Sequence, residues 1–92
     1  MNIPPQIKVG GHTIKVIFRK MDEDTYGEFD QTTDTISLNE NLSASQTGAT
    51  LLHEILHVCN SELGDGINHI ISESLAQQLF QVLKDNPLNF NE

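Results

Sequence analysis

The sequence predicts an α+β fold: a small, mostly antiparallel sheet followed by two helices. Two observations carry the prediction. Up to about Asn41, β-branched and apolar residues alternate in short runs divided by turn residues; beyond it, apolar residues recur at spacings of three and four. The length, 92 residues, is that of one domain with one modest core. The chain is therefore expected to be a single domain over 1–92, with the sheet in 6–38, helices over 44–60 and 66–84, and a tail over 85–92.

The elements follow in order. Gln6 to Val9 is a short extended stretch, and Gly10-Gly11 is a turn signal. His12 to Phe18 contains Thr13, Ile14, Val16 and Ile17, side chains that suit a pleated surface, and completes a hairpin with the first stretch. Arg19 to Thr25 includes Asp22-Glu23-Asp24 and reads as a solvated loop. Tyr26 to Phe29 is a third short strand, Gln31 to Asp34 a polar turn, and Thr35 to Leu38 a fourth strand paired with the third. Ser43-Ala44-Ser45-Gln46 has the form of a capping box that opens a helix running to about Asn60. A second helix should start near Asp65 or Gly66, with Asp65 as its cap, and end before Asn86-Pro87, because a residue preceding proline disfavours helical angles.

The charge balance narrows the function. A formal net charge of −8 repels phosphate backbones, so no nucleic-acid partner is expected. No apolar run is long enough for a membrane span. The first residues, Met1 to Pro5, lack the pattern of a secretory signal, and a single cysteine, Cys59, has no internal partner. A cytoplasmic location, in a bacterial cell or a phage-infected host, is the expectation. Oligomeric state is left open.

The first helix carries the chemistry. At 100° per residue, Ala49, Leu51, Leu52, Ile55, Leu56, Val58 and Cys59 cover one broad side, and His53, Glu54 and His57 gather on the other with Gln46 and Thr50. Residues four apart on a helix share a face, so two imidazoles at 53 and 57 can reach one ion. Zinc takes histidine nitrogen readily. Glu54, beside the pair, is placed to act as general base toward a metal-activated water. The composition gives this pattern by chance in roughly one such chain in a hundred.

A catalytic zinc site needs a third protein ligand and an open position. Glu62 is too near on the same helix, and Asp65 is spoken for as a cap. His69 and Glu73 lie four apart on the second helix, and spacing alone does not choose between them. Elsewhere, Cys59 reads as a small buried apolar residue and His12 as exposed. The acidic run at 22–24 lacks ligand spacing, and Leu79, Phe80 and Leu83 read as core.

Thr50-Leu51-Leu52-His53-Glu54-Ile55-Leu56-His57, with Glu73-Ser74-Leu75-Ala76 further on, resembles the gluzincin metallopeptidases. The likeness is to their small phage and bacterial domains related to the ImmA/IrrE type. It extends over most of residues 6 to 84, with specific motifs only in the helices. The resemblance implies that Glu73 is the third zinc ligand, with Ala76 three residues on. It also implies that the strand beside the cleft, Thr35, Ile36, Ser37 and Leu38, binds substrate backbone as an added strand. Where larger gluzincins place an aspartate to orient a zinc histidine, this chain has Gln77. His69 and Tyr26 are the candidates to stabilise a transition state.

The expected function is zinc-dependent hydrolysis of a peptide bond in a protein or peptide: His53, His57 and Glu73 hold zinc, and Glu54 is the base. The alternative is a zinc-binding regulatory or interaction module, or a latent enzyme whose tail, Pro87 to Glu92, covers the open zinc position.

Overall fold

The alternating runs form four strands, β1 (Gln6–Val9), β2 (His12–Arg19), β3 (Gly27–Asp30) and β4 (Thr35–Asn39); the helical periods form α1 (Ala44–Glu62) and α2 (His69–Asp85). The computed structural model describes residues 3–9, 11–62 and 69–85. The expected start of the second helix near 65, the Asp65 cap and the tail from Asn86 onward lie outside the described residues.

The sheet order is β1-β2-β4-β3. The β1–β2 hairpin is antiparallel, with Ile7 opposite Ile14, and the β3–β4 hairpin is antiparallel, with Phe29 opposite Ile36. The two hairpins join through a parallel pairing of β2 with β4, which sets Val16 opposite Ile36 and Phe18 opposite Leu38. The sheet is thus mostly antiparallel, as expected, with one parallel seam that strand-by-strand reading does not reveal. The seam has a physical basis. On β4, Ile36 and Leu38 are wholly buried, whereas β3 alternates half-buried Gly27 and Phe29 with exposed Glu28 and Asp30. The apolar strand takes the interior position, and the strand carrying acids takes the edge, where charge discourages stray pairing. At the turn between them Asp34 is left-handed, with φ of 50°, and its carbonyl accepts the Lys15 N–H at 2.9 Å, fastening the second hairpin to β2.

This order corrects one expectation. Thr35, Ile36, Ser37 and Leu38 are hydrogen-bonded on both sides, to β2 and to β3, so they offer no edge to an incoming strand. The strand with an open edge on that side of the sheet is β3.

One face of the sheet packs on α1. Ile14, Val16, Ile36 and Leu38 from the strands meet Leu51 and Val58 from the helix, with Ile7, Val9, Phe29 and Ile55 around them. Each full burial of such a side chain contributes about 1.5–3 kcal/mol. α2 lies against α1 and, among the described residues, against no strand. A helix with a single neighbour buries a narrow stripe. Ala76 is 1% exposed, while Leu75, Leu79 and Leu83 are 38–47% exposed, so Leu79 and Leu83 are not core as expected. Phe80 is half-buried.

α1 therefore lies between the sheet and α2, which corrects the two-sided reading of its wheel. Thr50, Leu51, Glu54 and Val58 are all buried, and His53 and His57 are half-buried. Glu54 belongs to the buried set rather than to a water-facing side.

Candidate metal centre

The helix that bears the site starts as its sequence requires. Ser43 Oγ accepts the Gln46 N–H at 3.1 Å, and Gln46 Oε1 accepts the Ser43 N–H at 3.0 Å. The reciprocal pair satisfies two donors that a helix N-terminus otherwise leaves open. One turn before the histidines, α1 meets β3 in very close contact. A Cβ placed on Gly27 would lie 2.8 Å from Thr50 Cγ2 and 2.9 Å from the Ser37 carbonyl. Only glycine permits that approach, which carries the edge strand up to the turn of α1 that bears His53 and Glu54.

Four residues apart, His53 and His57 turn their Nε2 atoms toward one another at 2.9 Å, with ring centroids 4.5 Å apart and ring planes at 83°. Two nitrogens bound to one tetrahedral zinc at about 2.0–2.1 Å stand roughly 3.3 Å apart. The pair is thus within a few tenths of an ångström of the spacing a zinc ion imposes, and at 2.9 Å one ring nitrogen can donate to the other. The Glu54 carboxylate completes a cluster whose ligand atoms all lie within 4.8 Å of one another. The two converging imidazole nitrogens are donors of the kind zinc takes, and the carboxylate lies close beside them.

Glu54 is 5% exposed. Burial, and after it the negative charge of Glu28, push its carboxyl from an ordinary 4.5 up to about 7. Burial disfavours the ionised form, and Glu28 adds like-charge repulsion although it is itself paired with Arg19. A carboxyl near neutrality gives up and takes protons under mild conditions, which is what a general base needs.

His53 and Glu54 form part of the wall of a cleft of about 790 Å³. The loop before β3 contributes Asp24, Thr25 and Tyr26, and the strand itself Gly27. The first turns of α1 contribute Ser45, Gln46, Ala49 and Thr50, and α2 contributes Gln77 and Phe80. Tyr26 is half exposed, and its hydroxyl accepts a hydrogen bond from Gln46 Nε2 at 3.4 Å.

The structure brings together five of the residues singled out from the sequence. His53, Glu54 and His57 converge, and Tyr26 and Gln77 line the cleft. Glu73 lies on α2 one turn before Gln77, and His69 is the first residue of that helix; the side chains of both fall outside the described residues. The Thr35 to Leu38 strand does not line the cleft. Sequence reasoning missed Asp24 and Thr25, dismissed as part of a solvated loop, and missed Gly27. The signal available for Gly27 was a lone glycine opening a strand, which often marks close backbone approach.

Comparison with known proteins points the same way. No curated protein and no solved structure matches the chain. The sequence model of the peptidase M78 family, described as the IrrE N-terminal-like domain, matches residues 9–83, which includes every strand but most of β1 and nearly all of both helices. With a match of that extent, and with His53, Glu54 and His57 gathered at one point, the chain belongs to the peptidase M78 family of IrrE N-terminal-like domains.

Proposed function

We propose that the protein is a zinc metallopeptidase that hydrolyses a peptide bond in an extended segment of a protein or peptide. The observation that carries this reading is the convergence of the His53 and His57 Nε2 atoms at 2.9 Å beside the buried Glu54 carboxylate, on the wall of a cleft. A purely structural zinc site closes its coordination with protein ligands and has no use for such a glutamate.

His53 and His57 hold the metal, with Glu73 as third ligand. Glu73 is supported by its place on α2, one turn before the cleft residue Gln77, and by the match of Glu73 and Ala76 to the pattern of the family it resembles. When bound, zinc supplies Lewis acidity toward a carbonyl oxygen and brings the pKa of a water toward neutrality. Glu54 then accepts the proton of the attacking water at its carboxylate and delivers it to the departing amine nitrogen. Gln77 orients a ligand or substrate by its amide, and Tyr26 has a hydroxyl with which to donate to developing negative charge.

Substrate backbone is read by β3. Asn39 N–H donates to the Tyr26 carbonyl at 2.8 Å, so by the alternation of an antiparallel pair residues 26, 28 and 30 face β4. Gly27 and Phe29 then direct their N–H and C=O groups to the open edge. An extended peptide adding there by backbone hydrogen bonds passes along the cleft. The unpartnered cysteine fits a reducing compartment, and the cytoplasm is the proposed location.

The test is Glu54→Gln. The variant should bind zinc as the wild type does and lose peptide cleavage in a substrate-library assay. Cleavage at the wild-type rate would rule out Glu54 as the base. Tight zinc binding by a wild type that cleaves nothing would make the domain a zinc-binding interaction module.

A further inference from the structure

Asn39 closes β4 and is 3% exposed. Its side-chain amide is fully engaged. Nδ2 donates to the Asp22 carbonyl at 3.2 Å and to the Thr25 carbonyl at 2.8 Å, and Oδ1 accepts the Asn41 N–H at 3.1 Å. The Asn39 backbone N–H donates to the Tyr26 carbonyl at 2.8 Å. Between the two carbonyls that Nδ2 reaches, the Thr25 N–H donates to the Asp22 carbonyl at 2.9 Å, closing a turn. Asn39 thus grips both ends of the turn over residues 22–25 from behind, and the following residue by its backbone. On its other side it leads through Asn41 and Leu42 into the Ser43 cap of α1.

The gripped segment is the rim of the cleft: Asp24, Thr25, Tyr26 and Gly27 all line it. An asparagine that served only its own turn would bond locally, as Oδ1 does to Asn41. Both donors of Asn39 instead cross to a segment 14 to 17 residues earlier in the chain. Only an uncharged amide can do this, because a carboxylate of the same shape would press oxygen against two carbonyl oxygens.

We propose that Asn39 is the positioning residue of this site. It fixes the rim and the start of the open β3 edge relative to the helix that bears His53 and Glu54, and so sets where substrate backbone lies relative to those two side chains. The proposal rests on the peptidase reading and predicts an effect on substrate binding rather than on the chemical step.

The test combines the wild-type protein with Asn39→Asp and Asn39→Ser. In the wild type, the Asn39 side-chain amide protons should exchange at least about tenfold more slowly than those of an exposed asparagine, read by NMR. In the variants, backbone amides over residues 25–29 should lose about tenfold in protection while zinc affinity stays within about twofold. Peptide cleavage should show KM raised about five- to tenfold with kcat within about threefold. Unprotected Asn39 amide protons, unchanged rim exchange, a fall in kcat at constant KM, or a parallel loss of zinc would each overturn the proposal. Should both variants fail to fold, the wild-type exchange measurement decides. If the wild type cleaves no peptide, the peptidase reading falls by itself, and rim exchange with zinc affinity still decides whether Asn39 holds the rim.

Discussion

Replacing Glu54 with glutamine keeps the shape of the side chain and removes its charge, so the variant isolates what ionising this buried group does to stability. In the metal-free protein the carboxyl is pushed from 4.5 to about 7, chiefly by burial. That is a displacement of 2.5 pH units (7 less 4.5), and at about 1.36 kcal/mol per unit it corresponds to about 3 kcal/mol. The sign follows from the direction. The folded state holds the proton more tightly than the unfolded chain, so this contribution is fully present below pH 4.5 and is lost as the pH rises through 7. In thermal melts with a chelator present, the wild type and Glu54→Gln should have similar stability at pH 4.5. At pH 8 the variant should be more stable by about 3 kcal/mol, a difference on the order of 10–20 °C in Tm for a domain of this size. Groups remote from residue 54 titrate in both proteins alike, so the difference between the two curves reports Glu54 together with the groups coupled to it, Glu28 and the two histidines beside it. Saturating zinc should shrink that difference, because the cation sets a favourable charge beside the carboxylate. A difference that stays flat from pH 4.5 to 8 would refute the claim that Glu54 is buried against its charge.

Further outcomes follow from single contacts. His53→Ala or His57→Ala should weaken zinc binding by more than about 100-fold, beyond the range for residues that only orient ligands, read by competition with a chromophoric chelator. Gly27→Ala would set a Cβ 2.8 Å from Thr50 Cγ2 and 2.9 Å from the Ser37 carbonyl, and should destabilise by about 1–3 kcal/mol in chemical denaturation. Adding Thr50→Ser removes the first clash and leaves the second, so the double variant should recover only part of the loss. Ser43→Ala breaks the capping box and should cost about 1 kcal/mol, with zinc affinity unchanged.

The elements were legible in the sequence because local period declares them. Ile14 and Val16 alternate with Thr13 and Lys15 as a strand on one packed face must, and Ser43 with Gln46 marks a helix start within four residues. The order of the strands was not legible. Whether β3 or β4 pairs with β2 depends on which of two short strands has more to bury, and that is settled by Ile36 and Leu38 meeting Leu51 and Val58 from another part of the chain. The same limit misplaced the open edge: Thr35 to Leu38 reads as a good strand, and nothing local says that both its sides are already in use. Leu79 and Leu83 failed for a related reason. Their spacing announces an apolar stripe on α2, but among the described residues α2 packs on α1 alone, so spacing overstates their burial there.

The metal site divides along the same line. The meeting of His53 and His57 is a property of one helix, four residues being one turn, and needs no tertiary knowledge. The condition of Glu54 is a property of three layers. A wheel drawn for α1 alone sets Glu54 with the histidines on a polar side; the fold places the sheet and β3 against that side and drives the carboxyl to 5% exposure beside Glu28. Asn39 is harder still to foresee, since an asparagine closing a strand looks like turn chemistry until two carbonyls from the preceding loop arrive at its amide. The motif therefore states which atoms can bind a metal, while the proton affinity of Glu54 and the shape of the cleft rim are decided by contacts between β3, β4 and α1. In a chain of 92 residues those contacts also make the core, so the packing that buries Glu54 is the packing that holds the fold together.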